Sequence, residues 1–170
     1  MQKEINWLLK EKYKGKATKS FKKDVKRLEK GEPLDYVIGF IEFGVPPGLC
    51  KIDLSKKPLI PRQETEFWVE KVIEEISQLG NPTSLRSSGQ NLRILDIFAG
   101  SGCIGVAILA DVGLPLLFCD FTDIDKKNLK QIRINLKLNK IKSKRYKIIR
   151  SYIFKNIKVN YYYIFANQPY

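Results

Sequence analysis

The sequence contains no histidine. That removes the side chain that most often acts as a general base near neutral pH, and a common zinc ligand. The three cysteines, Cys50, Cys103 and Cys119, are too few and too scattered for a disulfide framework or a zinc site. Cys103 has no imidazole to activate it, so all three read as reduced core cysteines of an intracellular protein. No apolar run approaches the roughly 20 residues of a membrane span. The opening stretch lacks a signal-peptide pattern. With Glu4, Glu11 and no arginine it is also a poor transit peptide. Acid is missing from one long block: Lys126 to Lys158 holds thirteen basic residues and no Asp or Glu.

At 170 residues the chain fits one average domain, and its net charge is +13. Met1 to Lys30 carries eleven basic and four acidic residues, whereas Gly31 to Asp125 has an acidic excess. Two readings of the basic blocks stay open: a surface facing nucleic acid or the ribosome, and a solvated lysine-rich surface. Aromatics near the second block sit in strand-like runs rather than as spaced stacking platforms, which tilts the balance toward the solvated surface.

What is present is organised around Asn91 to Gly105, NLRILDIFAGSGCIG. An apolar run, Leu92, Ile94, Leu95 and Ile97, has the length of a buried strand. It breaks into Ala99-Gly100-Ser101-Gly102 and continues into Ile104–Ala110, which has the composition of a buried helix. Strand, glycine turn and helix form the nucleotide-binding layout. Glycines let the backbone approach a ligand, and a helix N-terminus presents free N–H groups. Gly100, Gly102 and Gly105 fit GxGxxG, a weak signal alone. Asp96, an acid at the end of the strand, is unusual for dinucleotide dehydrogenases. It resembles the first motif of S-adenosylmethionine (SAM) methyltransferases, whose loop curves around the amino-acid end of the cofactor.

Along the chain, Met1–Lys30 reads as two short helices. Ser20 is the expected cap of the second, Phe21, Val25 and Leu28 share a face, and Gly31 is the stop. This segment is too short to bury a core alone and is expected to pack on something else. Tyr36-Val37-Ile38 reads as a strand, Val45-Pro46-Pro47-Gly48 as a turn and Leu49–Leu54 as a returning strand. Val69, Val72, Ile73, Ile76 and Leu79 recur at helical spacing. Glu64 and Glu66 lie in the first turn of that helix, and Gly80 with Pro82 ends it. Asn81–Gln90 is a polar linker. Leu116–Cys119 begins a buried strand ending near Asp123. Asp125 caps a helix over Lys126–Asn139, and Tyr146–Ile149 and Tyr161–Ala166 are further strands. Strands alternating with helices mean a parallel sheet. Asp123 lies about 20 residues past the glycines, where an acid binds ribose hydroxyls in this fold class. With Asp125 as the cap, Asp123 is expected to be free for ligand.

From about Gly31 to Tyr170 the chain resembles the HemK/PrmC-type protein N5-glutamine methyltransferases, which methylate the glutamine of the GGQ motif in peptide-chain release factors. Gly31–Gly39, GEPLDYVIG, is like the family's G-x-P-L-x-Y-I-x-G. Leu59–Glu66, LIPRQETE, is like L-I-P-R-P-E-T-E, a segment close to family-specific. Asp96–Ile104 is like D-x-G-x-G-S-G-C-I, and Asn167-Gln168-Pro169-Tyr170 is like N-P-P-Y. The resemblance implies a Rossmann-like SAM-dependent methyltransferase fold of the α/β class with an incomplete parallel sheet. Residues 1–30 would be a reduced helical region, 31–80 a β-hairpin with a connecting helix, and 91–170 the SAM-binding domain.

It also implies roles. Asp96 would belong to the cofactor loop, and Phe98, Ala99, Gly100, Ser101 and Gly102 would wrap the methionine part of SAM. Asp123 would bind its ribose. Tyr152 and Ile153, in a segment like the family's S-D-x-F, would border the adenine. Asn167 and the carbonyl of Gln168 would accept hydrogen bonds from the substrate amide, in a catalytic loop completed by Pro169, and Tyr170 would pack on the flat amide. Two acceptors are needed because the amide lone pair is delocalised and must be oriented toward the methyl group. No metal is required, since the leaving group is a neutral thioether. For Arg62, Gln63 and Glu64, a place near the cofactor and a structural corner are equally supported.

Some positions depart from the pattern: Phe98 replaces a glycine, Tyr152 an acid that holds the adenine amino group, and Gln168 a proline. The family's sheet has seven strands in the order 3-2-1-4-5-7-6, and this chain supplies strands one to four. The expectation is a truncated or decayed copy with weak activity or none, and an exposed apolar edge at Tyr161–Ala166. Two alternatives remain: a non-catalytic RNA- or ribosome-binding protein, and a methyltransferase of exocyclic amines in nucleic acids, which the Pro61–Glu66 segment disfavours. The release factor is the expected partner, with no membrane partner. Trp7–Glu11 and Phe67–Glu70 resemble fungal mitochondrial members, so the mitochondrial matrix is the expected compartment and the cytoplasm the alternative.

Overall fold

The computed structural model describes residues 1–44, 46, 49–78, 92–112 and 114–168. Outside these lie the expected linker Asn81–Gln90, the helix stop at Gly80 and Pro82, the turn residues Val45, Pro47 and Gly48, and the site residues Pro169 and Tyr170. The chain divides into two compact units, Met1–Ile41 and Glu42–Tyr170.

The first unit holds three helices, α1 (Gln2–Glu11), α2 (Lys19–Glu29) and α3 (Leu34–Ile38). Thr18, not Ser20, caps α2: its backbone is extended, and its hydroxyl accepts from Phe21 N at 3.2 Å. Ser20 already lies within the helix, so its backbone cannot take the extended conformation of a cap. Gly31 ends the segment with φ +81°. The strand expected at Tyr36–Ile38 is instead the helix α3. Pro33 starts it, and Gly39 ends it in the left-handed conformation. A short apolar run does not fix its own period. Here Val37 and Ile38 close a core with Leu8 and Leu28, and that packing selects the helix. Asp24 ties the unit together, accepting from Lys12 Nζ (2.8 Å), Tyr13 OH (2.7 Å) and Arg27 Nη1 (2.9 Å). Burial pushes its carboxyl up, but these three donors outweigh burial and hold it below the ordinary value.

After β1 (Phe40–Phe43) and β2 (Cys50–Asp53), which pair in a two-stranded sheet, the second unit continues with α4 (Gln63–Gln78), β3 (Leu92–Ile97), α5 (Cys103–Asp111) and β4 (Leu117–Asp123). It closes with α6 (Lys126–Leu138), β5 (Tyr146–Arg150) and β6 (Tyr163–Ala166). The order in the main sheet is β5-β4-β3-β6, and every pairing is parallel. This is the Rossmann-like α/β arrangement, with β3 in the interior of an incomplete sheet. Leu92 pairs with Leu117 and Ile97 with Thr122, while Ile97 faces Ala166 on the other side. Parallel pairing gathers the C-terminal ends of β3, β4 and β6 at one edge, the place where such sheets bind ligands.

Helix α5 is apolar all round, and every residue from Cys103 to Leu109 is buried. Asp125 caps α6 as expected, its carboxylate accepting from Lys127 N at 2.7 Å. Three amides, Gln131 and Asn135 on α6 and Asn139 at its C-cap, bind the backbone of β2 and the turn after it. Asn139 Oδ1 accepts from Lys51 N, Asn135 Oδ1 from Asp53 N, and Gln131 Oε1 from Lys56 N. A stripe of amides thus replaces a neighbouring strand. No helix among the described residues is long and apolar enough to cross a membrane. All three cysteines are buried and free.

Candidate cofactor and catalytic cleft

A cleft of about 630 Å³ opens at the C-terminal ends of these strands. One wall is the glycine loop, from which Phe98, Ala99, Gly100 and Ser101 line the space. The loop reverses through left-handed residues, with φ +56° at Phe98, +56° at Gly100 and +75° at Gly102. Phe98 is the one of the three that carries a Cβ, and it stands where the related pattern has glycine. Gly102 N donates to Ala99 O at 2.6 Å, closing the turn, and Ser101 Oγ accepts from Cys103 N. Gly102 is not a lining residue: it caps α5 against Ile132 and Phe121. Gly105 serves packing too, since a Cβ there would meet the Phe121 ring.

Asp96 stands behind the loop rather than in the cleft. It is fully buried, and its Oδ2 accepts from Gly105 N at 3.0 Å. Its Oδ1 has no hydrogen-bond partner among the described residues. Burial pushes this carboxyl up to about 8. The Asp123 charge adds to the rise, and the Gly105 N–H works against it.

Asp123 lines the cleft but is not free. Its Oδ2 accepts from Gly100 N (3.0 Å) and Asn128 Nδ2 (3.0 Å), and its Oδ1 from Asp125 N (2.8 Å). An acid at a strand end that faces a turn of N–H groups collects those donors itself. The carboxylate is thereby fixed in orientation with an edge on the cleft. Asn128 was not among the sequence candidates; the one signal for it was its place on the first turn of a helix capped two residues after Asp123.

The opposite wall comes from the segment before α4 and from its first turns, with Arg62, Glu64, Thr65 and Trp68. Asn167 and Gln168 reach the same cleft from the end of β6. The Asn167 amide donates to Thr65 Oγ1 at 3.0 Å. Leu59, Ile60, Pro61, Cys103, Ile104 and Ile124 add apolar surface. The structure does not bring Tyr152 and Ile153 to the lining. Their turn closes on itself, Ser151 Oγ donating to Ile153 O and accepting from Asn156 N, and Tyr152 is left 65% exposed.

A glycine loop after one strand, an oriented acid after the next and an asparagine after a third define a Rossmann-like protein with a cleft of ligand size. In sequence, the chain is similar to release factor glutamine methyltransferases. It is 33% identical over 156 residues to the release factor glutamine methyltransferase of Borreliella burgdorferi, covering 91% of this chain and 48% of that protein. It is 38% identical over 96 residues to the probable MRF1 mitochondrial N(5)-glutamine methyltransferase mtq1 of Schizosaccharomyces pombe, covering 56% and 28%. A third relative, the release factor glutamine methyltransferase of Thermodesulfovibrio yellowstonii, is 38% identical over 122 residues, covering 70% and 38%. The chain therefore spans less than half the length of these curated relatives. No protein-family model matches it. The N-terminal domain of human METTL16 in complex with SAH aligns at a TM-score of 0.48 and 21% identity, over 70% of this chain and 46% of that one, a likeness too slight to bear on function.

Proposed function

We propose that this chain carries the SAM-binding and amide-binding parts of a methyltransferase acting on the side-chain amide nitrogen of the GGQ glutamine of peptide chain release factors. The observation that carries the reading is the meeting of the glycine loop, Asp123 and Asn167 in one cleft. The lining suits SAM: a carboxylate oriented by three N–H donors, with an edge left to accept from the ribose, a tight glycine loop for the methionine part, and apolar walls for the rest. When bound, SAM supplies an electrophilic methyl group on a sulfonium whose departure leaves a neutral thioether.

The chain's own residues do the positioning. Asn167 Oδ1 and the Gln168 carbonyl accept the two N–H groups of the substrate amide, turning its nitrogen toward the methyl group. Both oxygens favour the positive charge that develops there. The family resemblance assigns Pro169 and Tyr170 to the same motif, with contact to the flat amide as the role of Tyr170. Phe98 and Gln168, which depart from the family pattern, are expected to slow the reaction. The mitochondrial matrix is the proposed compartment, supported by the similarity to the mitochondrial methyltransferase of Schizosaccharomyces pombe.

Calorimetric titration of residues 1–170 with S-adenosylhomocysteine tests the cofactor site. Micromolar binding that falls by about 100-fold in Asp123→Ala is the expected result. A folded chain with no measurable binding overturns the reading. Transfer of labelled methyl from SAM to a GGQ domain, abolished when the target glutamine is alanine, tests the substrate.

A contact with RNA or the ribosome is a second proposal. Arg133, Lys137, Tyr146 and Lys147 line a groove of about 470 Å³ in the block that lacks acid. Binding to structured RNA that weakens steeply with salt, and whose salt slope falls in Arg133→Glu/Lys137→Glu, is expected.

A further inference from the structure

A carboxamide has two ends of nearly equal shape and opposite hydrogen-bonding sense. To accept from a substrate amide, Asn167 must present Oδ1 to the cleft. The flipped rotamer would set its NH2 against the NH2 of the substrate. One contact anchors the amide: Asn167 Nδ2 donates to Thr65 Oγ1 at 3.0 Å, across 102 positions of sequence, which turns Oδ1 away from Thr65. Thr65 is only 4% exposed, so water is poorly placed to replace it.

The contact is one rung of a larger fit. Trp68, one turn along α4, packs on Phe165 with ring centroids 6.0 Å apart. Further along, Tyr163 OH donates to Glu75 Oε1 at 2.7 Å. Residues 65, 68 and 75 share a face of α4, and residues 163, 165 and 167 alternate onto one face of β6 and its extension. The helix therefore runs antiparallel to the strand, with Thr65 held at the cleft end beside Asn167.

Building on the methyltransferase reading, the geometry points to Thr65 as the positioning residue that holds the Asn167 amide in place with Oδ1 turned toward the substrate. Its hydroxyl takes the NH2 end and leaves Oδ1 as the acceptor. This gives the Pro61–Glu66 segment a function beyond a strand-to-helix corner: it orients the catalytic amide.

The test uses isotope-labelled 1–170 and its Thr65→Val, Thr65→Ser and Asn167→Ala variants, the last assigning the Asn167 side-chain NH2 resonances. The expected result is slow hydrogen exchange at that NH2 in the parent and in Thr65→Ser. Exchange should rise by about tenfold or more in Thr65→Val, with affinity for S-adenosylhomocysteine unchanged within about twofold. On a GGQ substrate, kcat should fall by about tenfold in Thr65→Val with the KM for SAM unchanged. It should recover in Thr65→Ser, and Thr65→Val should cost nothing further in the Asn167→Ala background. Unchanged NH2 exchange in Thr65→Val overturns the inference, as does a parallel loss of cofactor affinity or full additivity with Asn167→Ala. A folded parent chain that neither binds S-adenosylhomocysteine nor transfers methyl overturns the methyltransferase reading instead, and the exchange arm still decides the role of Thr65. Thr65→Ala replaces Thr65→Val if the valine variant does not fold.

Discussion

Gly105 and Phe121 fit together with no room for one more carbon: a Cβ on Gly105 would lie 2.4 Å from the Phe121 ring and 2.8 Å from Cys119 Sγ. Helix α5 can approach β4 this closely only because residue 105 has no side chain. Gly105→Ala is therefore expected to destabilise the chain by about 1–3 kcal/mol, the usual range for overpacking. The midpoint of urea unfolding measures it. An unchanged midpoint would show that α5 moves away without cost.

Phe98 holds φ +56° with a side chain attached. Phe98→Ala and Phe98→Gly both remove the ring, so comparing them isolates the backbone. Glycine is expected to be more stable than alanine by about 1 kcal/mol, since alanine keeps the left-handed penalty. Thermal melts of the pair decide it, and alanine equal to glycine would show that the loop carries no such penalty.

Asp96 makes stability depend on pH in the direction opposite to a paired surface acid. Its carboxyl is raised from 3.8 to about 8 in the fold, chiefly by burial. Between those values the folded chain holds a proton that the unfolded chain has lost. Its contribution is therefore full below about pH 4, declines as pH rises, and is gone above about 8. Asp96→Asn keeps an oxygen for Gly105 N and cannot ionise. The stability of the parent relative to this variant should fall steadily from pH 4 to 8 and level off beyond, measured by denaturant unfolding in a pH series. A difference independent of pH would mean that Asp96 is ionised in the fold.

Asn135 is fully buried and uses its amide three ways, accepting from Asp53 N (2.8 Å) and donating to Ser101 O (2.8 Å) and Asp53 O (3.3 Å). Asn135→Ala leaves these backbone groups without partners. It is expected to destabilise by about 2–4 kcal/mol. Affinity for S-adenosylhomocysteine should fall as well, because Ser101 lines the cleft proposed to hold the cofactor. Unfolding and calorimetry measure the two effects, and intact affinity in a destabilised variant would separate the loop from the amide stripe.

The elements whose signals are local were legible in the chain itself. Leu92–Ile97 reads as a buried strand because each face carries two apolar residues, and the helix over Lys126–Leu138 reads from its period and from Asp125 as its cap. The glycine loop reads from residues that tolerate positive φ. Short segments were less determinate. Tyr36–Ile38 has too few residues to show a period, and Thr18 and Ser20 are chemically equal as caps until one of them takes the extended backbone. Gln131, Asn135 and Asn139 look like a solvated helix face, although all three bond backbone in and beside β2.

By itself, then, the sequence determined the alternation of strands and helices, the turn at Gly100–Gly102 and the motifs that carry the resemblance. Those depend on period, backbone freedom and residue type within a few positions. Only the tertiary structure decided that Asp96 lies behind the loop and that Asp123 has its oxygens occupied. It also decided that Tyr152 stays in solvent and that the Asn167 amide meets Thr65. These relationships join residues brought together by sheet order, and a hydrogen bond across 102 positions leaves no trace in local spacing.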